Sequence, residues 1–201
     1  MRQAALPRVR LDAIAIAIGG SAGSIEALGV VLPALPAGFH AALLVVLHLP
    51  RERPSLLCNI FRQRCALPVR EAQDKEPVEP GTVYFAPPDY HLLVDSGPRL
   101  SLSVDAPLNF SRPSIDVLFE SAADEYGPRL MAVLLSGANS DGARGLRAVQ
   151  AAGGATVVQS PDSASSMAMP QAALALIQPD QVLPPARIAA LLTTLHKEGL
   201  S

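Results

Sequence analysis

The chain has 201 residues, 49% of them hydrophobic, and its 19 prolines and 14 glycines punctuate every long stretch, which fits one domain with a sizeable core better than two small ones. The formal net charge is −2 with a pI near 6.1, and no basic block exceeds the scattered Arg2, Arg8 and Arg10, so the electrostatic footprint of a nucleic-acid binder is missing. No apolar run approaches the roughly 20 residues that a membrane-spanning helix needs.

At the N-terminus, Arg2, Arg8 and Arg10 followed by Leu11–Ile18 imitate a secretory signal. Asp12 interrupts the apolar region, and cleavage near Ala22 would sever the first glycine turn. We therefore expect residues 1–12 to form a flexible arm and the protein to be cytoplasmic. The cysteines Cys58 and Cys65 fall on one predicted helix, where two packed thiols suit a reducing compartment. No second Cys/His pair completes a zinc site, so no metal or cofactor is expected.

The first strand is Ile14–Ile18, with Ala/Ile repeats suited to burial on both faces. Gly19 and Gly20 then turn the backbone, and Ser21 or Ser24 is expected to cap a helix from about Ile25 to Leu35. A second strand, Ala42–Leu47, stops at His48-Leu49-Pro50. Leu56, Leu57, Ile60 and Phe61 give Ser55–Arg64 an amphipathic helical pattern, and the seven-residue spacing of Cys58 and Cys65 reads as one helix face. Val83–Phe85, Leu92–Asp95 and Leu100–Val104, separated by Pro/Gly turns, are predicted antiparallel hairpins.

Ser111 is placed as the cap of a helix running to about Tyr126, with Pro113 and Asp116 in its first turn. A third apolar strand, Met131–Ser136, leads into a loop carrying Asp141, followed by a helix over Ala143–Ala152 that stops at Gly153-Gly154. Ala155–Gln159 is the last predicted strand, and Met169–Ile177 and Ala186–Lys197 are helices. Strand and helix alternate on either side of the hairpins. This pattern predicts an α/β fold, a doubly wound and mostly parallel sheet with an antiparallel excursion and helices on both faces.

The glycine loop at Gly19-Gly20-Ser21 lacks the spacing of a dinucleotide fingerprint, and Glu26 stands where a phosphate loop needs lysine. Ser21, His48 and Asp141 each follow a strand-like run, so all three are placed on the carboxyl rim of one sheet. Each has an ordinary alternative: a helix cap for Ser21 and Asp141, an interior histidine for His48. Together they supply a nucleophile, a base and an orienting carboxylate, the role set of a serine hydrolase.

The same segments carry a family resemblance. I-G-G-S-A-G-S, V-L-H-L-P and L-S-G-A-N-S-D-G-A-R-G resemble the serine, histidine and aspartate segments of the CheB-type protein-glutamate methylesterases, and Glu76–His91, Arg112–Phe119 and Ala168–Ala173 extend the likeness over nearly the whole chain. The resemblance implies Ser21 as nucleophile, His48 as general base, Asp141 as orienting carboxylate, and His91 and Arg112 at the substrate rim. It also implies a substrate, the methylated helices of chemoreceptor-like proteins, with glutamine deamidation as a parallel activity. Against the family's I-G-A-S-T-G-G and L-T-G-M-G-x-D-G-A-x-G, Ala22 replaces Thr, Ala138 replaces Met and Asn139 replaces Gly. Main-chain N–H groups at Ala22 and Ala138 survive side-chain replacement and remain candidate oxyanion donors. The changes bear on pocket shape and substrate preference.

Two alternatives stand beside the methylesterase: a non-catalytic interaction module that keeps the fold, and a different small-ester hydrolase. The family as usually built carries an N-terminal receiver domain over its active site. Here the expected arm of residues 1–12 is too short for such a domain, so constitutive activity is expected, with regulation by expression or by a separate partner protein.

Overall fold

The computed structural model describes residues 14–48 and 56–198, and the expected N-terminal arm and residue 55 lie outside them. The strands in chain order are β1 (Ala15–Gly20), β2 (Ala42–Leu47), β3 (Val69–Glu71), β4 (Val83–Phe85), β5 (His91–Asp95), β6 (Arg99–Ser103), β7 (Leu130–Leu134), β8 (Ala155–Gln159) and β9 (Gln181–Leu183). Seven of them form one sheet in the order β3-β4-β2-β1-β7-β8-β9, while β5 and β6 pair separately. Every ladder in the large sheet is parallel, and the β5–β6 hairpin is antiparallel.

The period of two along each strand divides the core. Ile16 and Ile18 of β1, with Leu43, Val45 and Leu47 of β2, face α1 (Ser24–Val31), α2 (Leu57–Arg62) and α6 (Pro185–Glu198). Ala15, Ala17, Leu44 and Val46 face the opposite layer of α3 (Ile115–Tyr126), α4 (Ala143–Ala151) and α5 (Ala168–Leu176). Both faces are thus covered, which is why β1, β2 and β7 read as continuous apolar runs. Each fully buried Leu or Ile contributes about 1.5–3 kcal/mol from transfer out of water.

Several boundaries differ from expectation for local reasons. β4 is no hairpin strand: β2 takes one of its edges and β3 the other. β3 and β9, unpredicted, are three-residue edge strands, too short for a period of two to register. α1 gives way to a tighter turn at 32–34, where Pro33 removes a donor. Its N-cap is Gly23 at φ 79°, not a serine. The N-cap position of α3 is Ser114 rather than Ser111, with its hydroxyl donating to Asp141 and not capping the helix itself, since Pro113 disfavours helical geometry at the residue before it. α2 ends at Arg62, so Cys65 lies beyond the helix; both thiols are free, with Cys58 buried in the core and Cys65 packed against it.

From β1 the chain passes to β2 on one side, and the later strands β7, β8 and β9 build outward on the other. The carboxyl ends of β2, β1 and β7 therefore meet at the point where the strand order reverses, the place where open α/β sheets form clefts.

Candidate active site

Ser21 and His48 each stand one residue beyond the last register pair of neighbouring strands, Gly20 with Leu47, on strands that run about 4.8 Å apart. The His48 N–H donates to the Gly20 carbonyl at 3.2 Å, and the Ser21 N–H donates to the Ser136 carbonyl at 2.9 Å beyond β7. Ser136 is a hub for this loop. Its carbonyl also accepts the buried Ser24 hydroxyl at 2.6 Å, and its own hydroxyl donates to the Ala22 carbonyl at 2.6 Å and accepts the Ser166 N–H at 2.9 Å. The backbone of Ser21 is thereby held from both sides, while no hydrogen bond to its hydroxyl is found among the described residues.

The Asp141 carboxylate is fully buried. Oδ2 accepts His48 Nε2–H at 2.9 Å and the Ile115 N–H at 2.7 Å. Oδ1 accepts the Ser114 hydroxyl at 2.9 Å, the Asp116 N–H at 3.2 Å and, more loosely, the Asn109 amide at 3.4 Å. Asp141 is a helix cap after all, but of α3 rather than of the α4 that follows it. Burial pushes its carboxyl up, yet the bonds from His48, the Ile115 N–H and the Ser114 hydroxyl outweigh this and hold it below the ordinary 3.8. The positive end of α3 favours the same charged form.

An ionised Asp141 accepts only, so His48 carries its proton on Nε2 and leaves Nδ1 with a free lone pair, an assignment made from the hydrogen-bond network. Asn139 Nδ2 lies 3.4 Å from that Nδ1, and Asn139 Oδ1 accepts the Asp141 N–H at 3.1 Å. Ala22 and Ala138 are exposed at the rim, and among the described residues neither backbone N–H donates to a protein acceptor.

The two residues expected at the rim are both bonded within the protein. His91 is 2% exposed, accepting the Ser114 N–H on Nδ1 at 3.1 Å and reaching the Ala106 carbonyl from Nε2 at 3.2 Å. With both nitrogens occupied, it supports the start of α3 from inside. Arg112 is only 17% exposed along its side chain, and its guanidinium is taken up by Asp89 at 2.9 and 3.0 Å and by the carbonyls of Val104 and Asp105. It ties the segment before α3 to the turn at Asp89.

Residues 16–192 match the family profile described as CheB methylesterase. The chain belongs to the CheB methylesterase family. It is 42% identical over 186 residues to a putative protein-glutamate methylesterase/protein-glutamine glutaminase of Leptospira interrogans, covering 92% of this chain and 96% of that protein. A protein-glutamate methylesterase/protein-glutamine glutaminase of Symbiobacterium thermophilum is 36% identical over 190 residues, but this chain spans only 52% of its length. The crystal structure of the Thermotoga maritima CheB methylesterase catalytic domain superposes with a TM-score of 0.88 at 32% identity, covering 91% of this chain and 98% of that one. The α/β sheet with its separate hairpin is thus the fold of a CheB catalytic domain.

Sequence reasoning left Ser24, Asn109, Ser114 and Ser136 without a part in the site. Ser114 sits in the R-P-S-I-D segment, whose recurrence in the family resemblance was the available signal. Ser24 likewise closes the quoted serine segment and Ser136 stands second in the aspartate segment, whereas Asn109 shows itself only through bonds to Asp116 and Asp141.

Proposed function

We propose that this CheB-family chain hydrolyses glutamate γ-methyl esters on the cytoplasmic helices of chemoreceptor-like proteins, with Ser21, His48 and Asp141 as a catalytic triad. The observation that carries this is the His48 Nε2 to Asp141 Oδ2 bond of 2.9 Å, on a carboxylate anchored by the N-terminus of α3, one residue past the strand pair that brings Ser21 alongside. Ser21 Oγ bonds to the ester carbon as its proton passes to His48 Nδ1. The tetrahedral adduct collapses, the bond to the methoxy oxygen breaks, and the same proton returns to that oxygen, releasing methanol. Water, activated by His48, then cleaves the acyl-enzyme and restores both the serine hydroxyl and the glutamate carboxylate. Asp141 stabilises the transient imidazolium without itself taking the proton.

The N–H groups of Ala22 and Ala138 are the donors for the developing oxyanion, since among the described residues neither is engaged by a protein acceptor and each neighbours a site residue in sequence, Ser21 and Asn139. Deamidation of receptor glutamine follows the same steps with ammonia leaving, and the names of the Leptospira and Symbiobacterium relatives favour it as a second activity.

The test is methanol release from a methylated receptor fragment, with covalent labelling of Ser21 by an organophosphate. Release that is lost in Ser21→Ala supports the triad. A chain that is neither labelled nor able to release methanol is an interaction module instead, and one that is labelled but inert on the receptor is an esterase of another substrate.

A further inference from the structure

We infer that Asn139 makes this active site selective for the methyl ester over the glutamine amide, by placing a hydrogen-bond donor where the leaving atom departs. The inference rests on the esterase function proposed above and names its substrate preference.

The Asn139 amide is oriented from both ends. Its Oδ1 accepts the Asp141 N–H at 3.1 Å, so the opposite end of the amide must be the NH2 group, and that group lies 3.4 Å from His48 Nδ1. Flipping the amide would set its oxygen against the His48 lone pair and its NH2 against a backbone N–H, so the donor is fixed toward the base. A nitrogen-to-nitrogen distance of 3.4 Å is at the loose end for a hydrogen bond. The contact can therefore give way when the Ser21 hydroxyl or a leaving group takes up the Nδ1 position.

During collapse of the adduct, the leaving atom must lie within hydrogen-bond reach of His48 Nδ1–H to receive its proton. With Asn139 Nδ2 3.4 Å from Nδ1, an atom seated on the Asn139 side of that proton lies within reach of both. A methoxy oxygen has two lone pairs. It takes the proton from His48 on one and accepts an N–H from Asn139 on the other, which disperses the charge building on it. An amide nitrogen in the same adduct has a single lone pair and two N–H bonds. Its lone pair is used by His48, and its hydrogens then face the hydrogens of Asn139, a donor against a donor in a partly buried cleft. Ester cleavage gains an interaction that amide cleavage cannot make, and amide cleavage bears an unpaired contact.

The experiment measures methanol and ammonia release by the full chain from one chemoreceptor cytoplasmic fragment, prepared with glutamate methyl ester or with glutamine at the same sites. Wild type is compared with Asn139→Gly and Asn139→Asp. The ratio of the two rates cancels changes in His48 or Ser21 that both reactions share. We expect the methanol-to-ammonia ratio of kcat/KM to fall roughly 3- to 10-fold in Asn139→Gly, the size of one lost hydrogen bond. It should fall further in Asn139→Asp, which keeps the acceptor for the Asp141 N–H and offers an acceptor to the leaving amine. Asn139→Asp is nearly isosteric, so it decides the matter if the glycine variant does not fold. Active variants with an unchanged or increased ratio overturn the inference and leave the esterase function standing. A wild-type chain that cleaves neither substrate overturns both.

Discussion

Asp116 and Asp141 cap each other's helices. Asp141, two residues ahead of α4, accepts the Ile115 and Asp116 N–H groups in the first turn of α3. Asp116, in that same turn, accepts the Gly145 N–H in the first turn of α4 at 2.7 Å. Gly145 is required at the crossing, because a Cβ there would meet Phe119 Cβ at 2.6 Å and Asp116 Cα at 3.1 Å. The catalytic carboxylate proposed above is therefore held by the packing of two helices, and not by its own loop alone.

Changing Gly145 to Ala should disturb activity from a distance. The clash involves a Cβ and a backbone atom, which no rotamer change relieves, so α3 and α4 must move apart. We expect a loss of about 1–3 kcal/mol, the usual cost of overpacking. Methanol release should fall as well, since Asp141 moves relative to His48. Urea unfolding and the esterase assay on one preparation test this: lost stability with unchanged kcat would show that the helix crossing does not set the carboxylate.

Ser21→Ala should separate chemistry from folding in the opposite sense. The hydroxyl makes no hydrogen bond among the described residues, and the loop is held through the Ser21 N–H and through Ser136. Stability should stay within about 0.5 kcal/mol of wild type, while methanol release drops by roughly 10⁴-fold or more. A soluble variant that keeps its turnover would rule out Ser21 as nucleophile.

Asp141→Asn should cost both activity and stability. An amide NH2 in place of Oδ2 would oppose the Ile115 N–H and His48 Nε2–H, and in place of Oδ1 it would oppose the Asp116 N–H and the Asn109 amide. Either orientation buries a donor against a donor, at about 1–3 kcal/mol. The sequence offered a cap of the following helix and a triad member as competing parts for this residue; the structure makes it a cap of α3 that also bonds His48, and its part in a triad is the proposal tested here. The discriminating measurement is kcat well below the unfolding temperature, where a purely structural role would leave folded enzyme at full rate.

Much of the fold was legible because burial on both faces writes long apolar runs into β1, β2 and β7, and glycine and proline mark where elements stop. β2 starts and ends where the apolar run does, at Ala42 and Leu47. The edge strands β3 and β9 were illegible because three residues carry no period, and β4 was misjudged because its parallel partners lie far off in sequence. At the site, strand ends placed Ser21, His48 and Asp141 on one rim, but side-chain direction is a tertiary matter. His91 was put at the rim by the family resemblance alone; in the structure it is buried and bonded to the start of α3. Asn139 was visible only as a departure from the family pattern.

The two buried carboxylates pull the pH dependence of stability in opposite directions. Asp141 is held below the ordinary carboxylate value of 3.8 because the bonds from His48, the Ile115 N–H and the Ser114 hydroxyl outweigh the burial that pushes it up. Between its folded and unfolded values the unfolded chain binds more protons, so stability rises with pH. The contribution of Asp141 is in place above 3.8 and is lost as pH falls through the lower folded value. Asp116 is pushed above 3.8, chiefly by burial and then by the nearby Asp141, against the pull of the Gly145 N–H. There the folded chain binds more protons, so stability falls as pH rises through the raised value. Urea midpoints from about pH 2.5 to 7 should therefore pass through a maximum on the acid side of neutrality. The gap between wild type and Asp141→Asn should be full at neutral pH and shrink below about pH 4, because an amide has no proton to gain. A gap that stays constant across this range would mean that the Asp141 carboxylate titrates alike in the folded and unfolded chain.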